Sequence, residues 1–281
     1  MRVLLQIEYD GTNYHGWQSQ KNGNSVQQTL QECLQGILCQ PITLVASGRT
    51  DSGVHAKNQY AHFDYDGKFD VKKLPYALQG SLSNDISVKN AWIVSDNLHA
   101  RYSVKSKTYH YYLYAEGPIQ PLKERYCVYI KKEPNLHLIK RALKYLIGTH
   151  DFSSFCVPRK IKNENNTRTI KNIKICKENE CITLKICGNG FLHNMVRIIV
   201  GTLLDVGYGK ISPKQVKTIL EQKDRTKAGK TAPAKGLVLY NVDYGIRFRQ
   251  NKWFWQATWI NLFENIIFFA KNTWHHFCLN I

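Results

Sequence analysis

The chain has 281 residues, enough to bury a substantial core as one large or two modest domains. Its 43% hydrophobic and 21% charged residues are those of an ordinary globular protein and exclude a disordered or fibrous chain. Thirty-nine Lys and Arg against 21 Asp and Glu leave a net charge of +18, which favours a polyanionic partner. The basic residues fall in loops and hairpins more than along one amphipathic helix, so nucleic acid fits better than a membrane surface.

The chain opens on a strand-like run over 2–7, followed by a turn. Ser25-Val26-Gln27-Gln28 then reads as a capping box opening a helix. Val26, Leu30, Cys33, Leu34 and Ile37 mark one face of that helix, and Pro41 ends it. The β-rich segment 41–47 and the alternating segment 59–64 bracket a loop, Gly48-Arg49-Thr50-Asp51-Ser52-Gly53-Val54-His55-Ala56. If the loop entry is extended, Arg49 and Asp51 point the same way and can meet as an ion pair. A carboxylate held ionised by an arginine is a usable nucleophile, whereas an Asx-type turn carrying a surface salt bridge has the same spacing. A short helix is expected over 71–78 and a strand over 86–94. A second unit begins near Tyr109, where Tyr109-His110-Tyr111-Tyr112-Leu113-Tyr114 has strand composition. Helical spacing covers 136–147, and segments 169–176 and 181–187 form a hairpin turning at 177–180. The strongest helix signal runs over 191–205, with Phe191, Met195, Ile198, Ile199 and Leu203 as its stripe. A shorter helix follows Ser212-Pro213, and 237–244 closes as a strand. Strands and helices mix in two similar halves, which favours α+β with a largely antiparallel sheet.

The cysteines show no disulfide framework, and no C-x-x-C pair suggests zinc. The initial apolar run is too short for a signal-peptide core, and no apolar run reaches membrane-spanning length. A cytoplasmic protein with reduced cysteines is the simplest expectation. The segment 246–281 is rich in Trp and Phe and suggests packing on the body, a subunit contact, a membrane surface, or no role. His275-His276 lacks a third ligand.

The loop containing Asp51 resembles the signature loop of the TruA-type tRNA pseudouridine synthases. Four further blocks resemble that family's motifs in order. They are Tyr9-Asp10-Gly11-Thr12 running to Gly16-Trp17-Gln18, then His99-Ala100-Arg101-Tyr102-Ser103 with Lys107-Thr108-Tyr109, then Gly190-Phe191-Leu192-His193-Asn194-Met195-Val196-Arg197, and finally Thr231-Ala232-Pro233-Ala234-Lys235-Gly236-Leu237. Beyond Gly245 the pattern stops.

The resemblance implies two ferredoxin-like halves, 1–105 and 106–245, sharing a sheet with the catalytic cleft between them. A C-terminal extension, 246–281, follows. It also implies isomerisation of uridines 38, 39 and 40 in the tRNA anticodon stem-loop by a homodimer. The reaction breaks the glycosidic bond, turns the base and rejoins it through carbon, so it needs a nucleophile and no cofactor or metal. By resemblance Asp51 is that nucleophile and Tyr109 stacks on the target base. Arg197 pairs with the aspartate, and Arg49 fills the stack vacated by the flipped base. RNA contacts are expected from His99, Arg101, Lys107 and Arg168, the last lying in a stretch, 159–177, that carries seven Lys or Arg and one acid. Two alternatives keep the fold: the same chemistry on another tRNA site or RNA, or a non-catalytic RNA-binding or chaperone protein. A carboxylate beside RNA costs a pure binder affinity, which argues against the second.

Overall fold

The structure is a computed structural model that describes residues 1–20, 23–115, 117–158 and 165–248. Two compact units are separable, Met1–Arg247 and Phe248–Ile281. The fold and site below belong to the first. The aromatic extension from residue 249 onward, with His275-His276, lies outside the described residues, as does 159–164 of the basic stretch.

The elements in chain order are β1 (Arg2–Tyr9), α1 (Val26–Leu38), β2 (Val45–Ala46) and β3 (His55–Asp64). A 3₁₀ turn at Val71–Lys73 leads into α2 (Leu74–Gln79), then β4 (Ile86–Val94), β5 (Ser106–Ala115), α3 (Pro121–Glu124) and β6 (Val128–Ile130). There follow α4 (Leu136–Leu143), β7 (Gly148–Asp151), β8 (Thr167–Glu178), β9 (Cys181–Gly188), α5 (Met195–Gly207), α6 (Gln215–Gln222) and β10 (Leu237–Asp243). Among the described residues the strands form one ten-stranded sheet in the order β4-β1-β3-β10-β5-β9-β8-β7, with β2 beside β3 and β6 beside β5. All neighbours are antiparallel except β3 with β10 and β5 with β6. The fold is α+β with a largely antiparallel sheet.

The strands β4, β1 and β3 come from the first part of the chain and β5, β9, β8 and β7 from the second. The closing strand β10 joins them: Leu239 is in register with Ala56 of β3 on one side and Tyr109 of β5 on the other. This seam sets the loop that precedes β3 beside Tyr109.

Most strands were legible because alternating side chains bury one face, as in β9, where Ile182, Leu184 and Ile186 are all inside. Ser25 caps α1 as expected, its Oγ accepting from the Gln28 amide at 3.2 Å. Three expectations need correction. The helix ends at Leu38, ahead of Pro41, on Cys39 in the left-handed region. The strand expected over 41–47 shrinks to Val45–Ala46, because glutamines of α1 take over its backbone. Gln31 Oε1 accepts from the Leu44 amide at 2.9 Å, and Gln27 Nε2 donates to the Leu44 carbonyl at 2.9 Å. The helix expected from 191 starts only at Met195, since Asn194 takes φ 60° and breaks the helical path. Among the described residues no helix is long and apolar enough to cross a membrane.

Candidate active site

The signature loop is built onto the loop that follows β1. The Thr50 carbonyl accepts from the Trp17 amide at 3.2 Å, and the Gly53 amide and Ser52 hydroxyl donate to the Tyr14 carbonyl at 3.2 and 3.3 Å. Beneath them the Tyr9 hydroxyl meets Thr50 Oγ1 at 2.8 Å in a buried contact. Gly16 permits the approach, with φ +89° and an added Cβ only 2.5 Å from the Thr50 carbonyl oxygen. The first loop is itself fastened through Asp10, which accepts from the Thr12 amide and hydroxyl, the Tyr126 hydroxyl and Arg125. Burial alone would raise the Asp10 pKa, but hydrogen bonds from Thr12, Tyr126 and Arg125 outweigh it and hold it at about 2.

The Asp51 side chain keeps 22% exposure and faces the Arg197 guanidinium and the His193 ring. Arg197 Nη1 lies 3.3 Å from Oδ2, and His193 Nε2 lies 3.6 Å from Oδ1. Arg197 sits in the first turn of α5, and its guanidinium is fixed from two other directions. Nε donates to the Ala232 carbonyl at 2.8 Å and Nη1 to Asn194 Oδ1 at 2.7 Å. A planar fork anchored this way can hold a carboxylate in one orientation. Arg49, the expected local partner, makes no ion pair with Asp51; it is exposed on the cleft wall. The loop turns after Asp51, whose carbonyl accepts from the Val54 amide at 3.1 Å.

Tyr109 stands across the seam with 8% exposure, its ring perpendicular to Phe191 at 5.2 Å and 87°. Burial pushes its phenol pKa up, and the charges of Tyr9 and Asp51 push the same way, so it enters neutral-pH chemistry as an uncharged hydroxyl. Lys107, two residues earlier, donates from Nζ to the Ser47 carbonyl at 2.6 Å, bracing the loop entry. Its pKa is lowered to about 8, chiefly by burial and further by Arg101 and Arg168. Arg168 in β8 donates Nη1 to the Asn165 and Thr167 carbonyls at 2.9 and 2.7 Å. His99 uses Nδ1 as acceptor for the amides of Arg101 and Tyr102 at 3.1 and 3.2 Å. It organises a turn with that nitrogen.

These residues surround a cleft of about 1110 Å³ whose walls include Arg49, Thr50, Asp51, Arg101, Lys107, Tyr109, Phe191 and His193. It is large enough for an extruded nucleoside with flanking backbone, and its charged rim suits phosphates. The cleft wall thus brings together Asp51, Tyr109, Lys107, Arg101 and Arg49, with Arg197 joined through its ion pair to Asp51, while His99 and Arg168 are not on that wall.

The description of the family model that matches residues 6–103 and 142–245 is tRNA pseudouridine synthase. The chain belongs to that family. The matched segments hold Asp51, Arg49, His99, Arg101, Arg168 and Arg197 and leave out Lys107 and Tyr109. The tRNA pseudouridine synthase A of Thermoanaerobacter sp. (strain X514) is 47% identical over 242 residues, which is 86% of this chain and 99% of that protein. The tRNA pseudouridine synthase A of Bacillus subtilis (strain 168) is 44% identical over 247 residues, 87% of this chain and 99% of its own. A solved Cbf5-Nop10-Gar1 complex aligns with 72% of this chain and 54% of its own at 12% identity and a TM-score of 0.31, too slight a likeness to compare sites.

Against this candidate site, sequence reasoning missed His193 and Asn194. Both were quoted within the motif around Arg197 and given no role. The signal was spacing: Asn194 sits three residues before Arg197, one helical turn, where a side-chain carbonyl can meet a guanidinium.

Proposed function

We propose that this protein converts uridines 38, 39 and 40 of the tRNA anticodon stem-loop to pseudouridine, with Asp51 as the nucleophile. The observation that carries the reading is the Asp51 carboxylate seated on Arg197, 3.3 Å away, at the wall of a cleft wide enough for a flipped nucleoside. The guanidinium holds the carboxylate in one orientation by a charge-assisted contact, and a carboxylate so placed is a usable nucleophile. The adduct holds one reactant while the C1′–N1 bond breaks and the base turns. A C1′–C5 bond then forms, the bond to Asp51 breaks and returns the free carboxylate, the C5 proton leaves and N1 is protonated, so atoms balance without an oxidant or cofactor.

Tyr109 supplies a ring face to the base and, as a neutral hydroxyl, a hydrogen-bonding group beside C5. Arg49, exposed and uncommitted to Asp51, is free to enter the stack that the target base leaves. Unstacking costs a few kcal/mol, which this insertion and phosphate contacts from Arg101, Lys107 and Arg168 offset. The same reading makes the protein a cytoplasmic homodimer whose two subunits share one tRNA. It also divides each chain into the halves 1–105 and 106–245, a division supported by the sheet order on either side of β10.

The test incubates unmodified tRNA transcripts with wild-type protein and with Asp51→Ala, and maps pseudouridine by position. Product at 38 to 40 from wild type alone is expected. Product from Asp51→Ala would overturn the aspartate mechanism, product elsewhere the target assignment, and tight binding without product the enzymatic reading.

A further inference from the structure

Isomerising a uridine moves one proton from C5 to N1, two ring positions with only C6 between them. A side chain that carries it must take a proton and give it back close to Asp51. Burial and the charge of Asp51 hold the Tyr109 phenol protonated, so it does not accept one. Lys107 Nζ is engaged on the Ser47 carbonyl, and guanidinium groups do not give up their protons. A carboxylate accepts a proton less readily than an imidazole does. The cleft wall carries two imidazoles. The His15 ring lies against Gly23, whereas His193 brings Nε2 to 3.6 Å from Asp51 Oδ1.

The neighbours of His193 decide what that nitrogen does. Arg197 Nη1 donates to one end of the Asn194 side chain at 2.7 Å, so that end is the amide oxygen. The other end, Nδ2, can only donate, and it lies 3.4 Å from His193 Nε2. Nε2 therefore meets it as an acceptor, with its lone pair free of a proton. The guanidinium that holds Asp51 thus also sets, through one amide, the neighbouring imidazole as a base. The backbone at this point is held from outside the helix, the His193 carbonyl accepting from the Val157 amide at 3.3 Å.

We propose that His193 removes the C5 proton of the rearranged base through Nε2 and returns it to N1. This rests on the pseudouridine-forming reading above and adds to it the proton carrier. Once the C1′–C5 bond has formed, C5 holds both the ribose and its own hydrogen. Nε2 takes that proton, the C5–H electron pair restores the C5–C6 double bond, and the C6–N1 π pair withdraws to N1. The imidazolium then releases the proton to N1, and the side chain ends as it began. Asn194 is a positioning residue that keeps Nε2 in its accepting form.

The full chain is assayed on a tRNA transcript in single turnover, as wild type, His193→Gln and His193→Ala. Both variants should form pseudouridine roughly 100- to 10,000-fold more slowly, the usual worth of a general base. Transcript affinity by filter binding and the thermal melt should stay at the wild-type values. A second transcript carries deuterium at C5 of its uridines. His193→Gln should process it more slowly than the protiated one, because removal of the C5 proton has become the slow step. Added imidazole should restore part of the His193→Ala rate, since a side chain 43% exposed leaves its position open to a small base. An undiminished rate in either variant, equal rates on both transcripts in His193→Gln, or a His193→Ala that imidazole does not rescue would each overturn the carrier. Failure of the functional reading shows separately, as wild-type protein that makes no pseudouridine.

Discussion

At the scale of single residues, the site is governed by who neutralises whom. Asp51 draws its counter-charge from Arg197, 146 positions away, with His193 Nε2 also close, while Arg49, two residues from Asp51, stays exposed. Lys107 carries the clearest titration behaviour in the cleft. Burial lowers its pKa to about 8, against about 10.4 for a free lysine. A phosphate drawn to the charged form must raise that pKa again, so RNA binding takes up a proton once the free protein begins to lose it. Affinity for tRNA should therefore fall as pH rises from about 8 towards 10, beyond any drift from other groups. Lys107→Arg, charged throughout that range, should remove this component in filter-binding titrations at pH 7, 8 and 9. A slope identical in both proteins would show that Lys107 is not at the phosphate.

At the scale of elements, α5 and the segment leading to β10 act as one piece. An added Cβ at Gly201 would lie 1.8 Å from the Lys230 carbonyl oxygen, so chain rests directly on helix there. The contact is tied by the Gly229 amide donating to Thr202 Oγ1 at 2.9 Å, and the Ala232 amide to the Arg197 carbonyl at 3.1 Å. That docking puts the Ala232 carbonyl against Arg197 Nε. Gly201→Ala should cost about 1–3 kcal/mol by overpacking, read as a lower urea midpoint. It should also lower turnover, because the guanidinium loses its anchor. Unchanged stability and turnover would mean that the two segments separate freely. Periodicity made α5 legible from Met195 onward, since its buried stripe repeats at helical spacing. Its start was not legible: nothing in Phe191-Leu192-His193 forbids a helix, and Asn194, left-handed at φ 60°, accepts from Arg197 Nη1 through its side-chain oxygen.

At the scale of the whole molecule, two buried histidines tie stability to pH. His62 is lowered to about 4 by burial, with Arg2 and His99 adding, and His110 to about 4 by burial, with Lys185 and Lys57 adding. Both stay neutral in the folded protein down to about pH 4, while the unfolded chain protonates them near 6.5. Between those values the unfolded state binds more protons, so stability falls on acidification from about pH 6.5 and their contribution levels off below about 4. Thermal melts at pH 7, 5.5 and 4.5 should show the decline, and His110→Asn should make it shallower. The body alone should carry the activity. Relatives are matched over 99% of their length by 242 to 247 residues of this chain, and the family model ends at residue 245. Truncation after Gly245 should leave pseudouridine yield intact; loss of folding or of yield would show that the extension is integral.

What the sequence determined by itself was local or compositional. Alternation marked the strands, helical spacing marked α1 and most of α5, charge pointed to a polyanion, and the motif strings named Asp51, Tyr109 and Arg197. Only the tertiary structure decided who meets whom. The resemblance had already implied Arg197 beside Asp51, but the missing Arg49–Asp51 pair, the approach of His193, and the joining of β3 to β5 through β10 all depend on contacts between residues far apart in the chain. Residue spacing along one segment reports its own period, but the partner of a side chain is set by where the other segments pack.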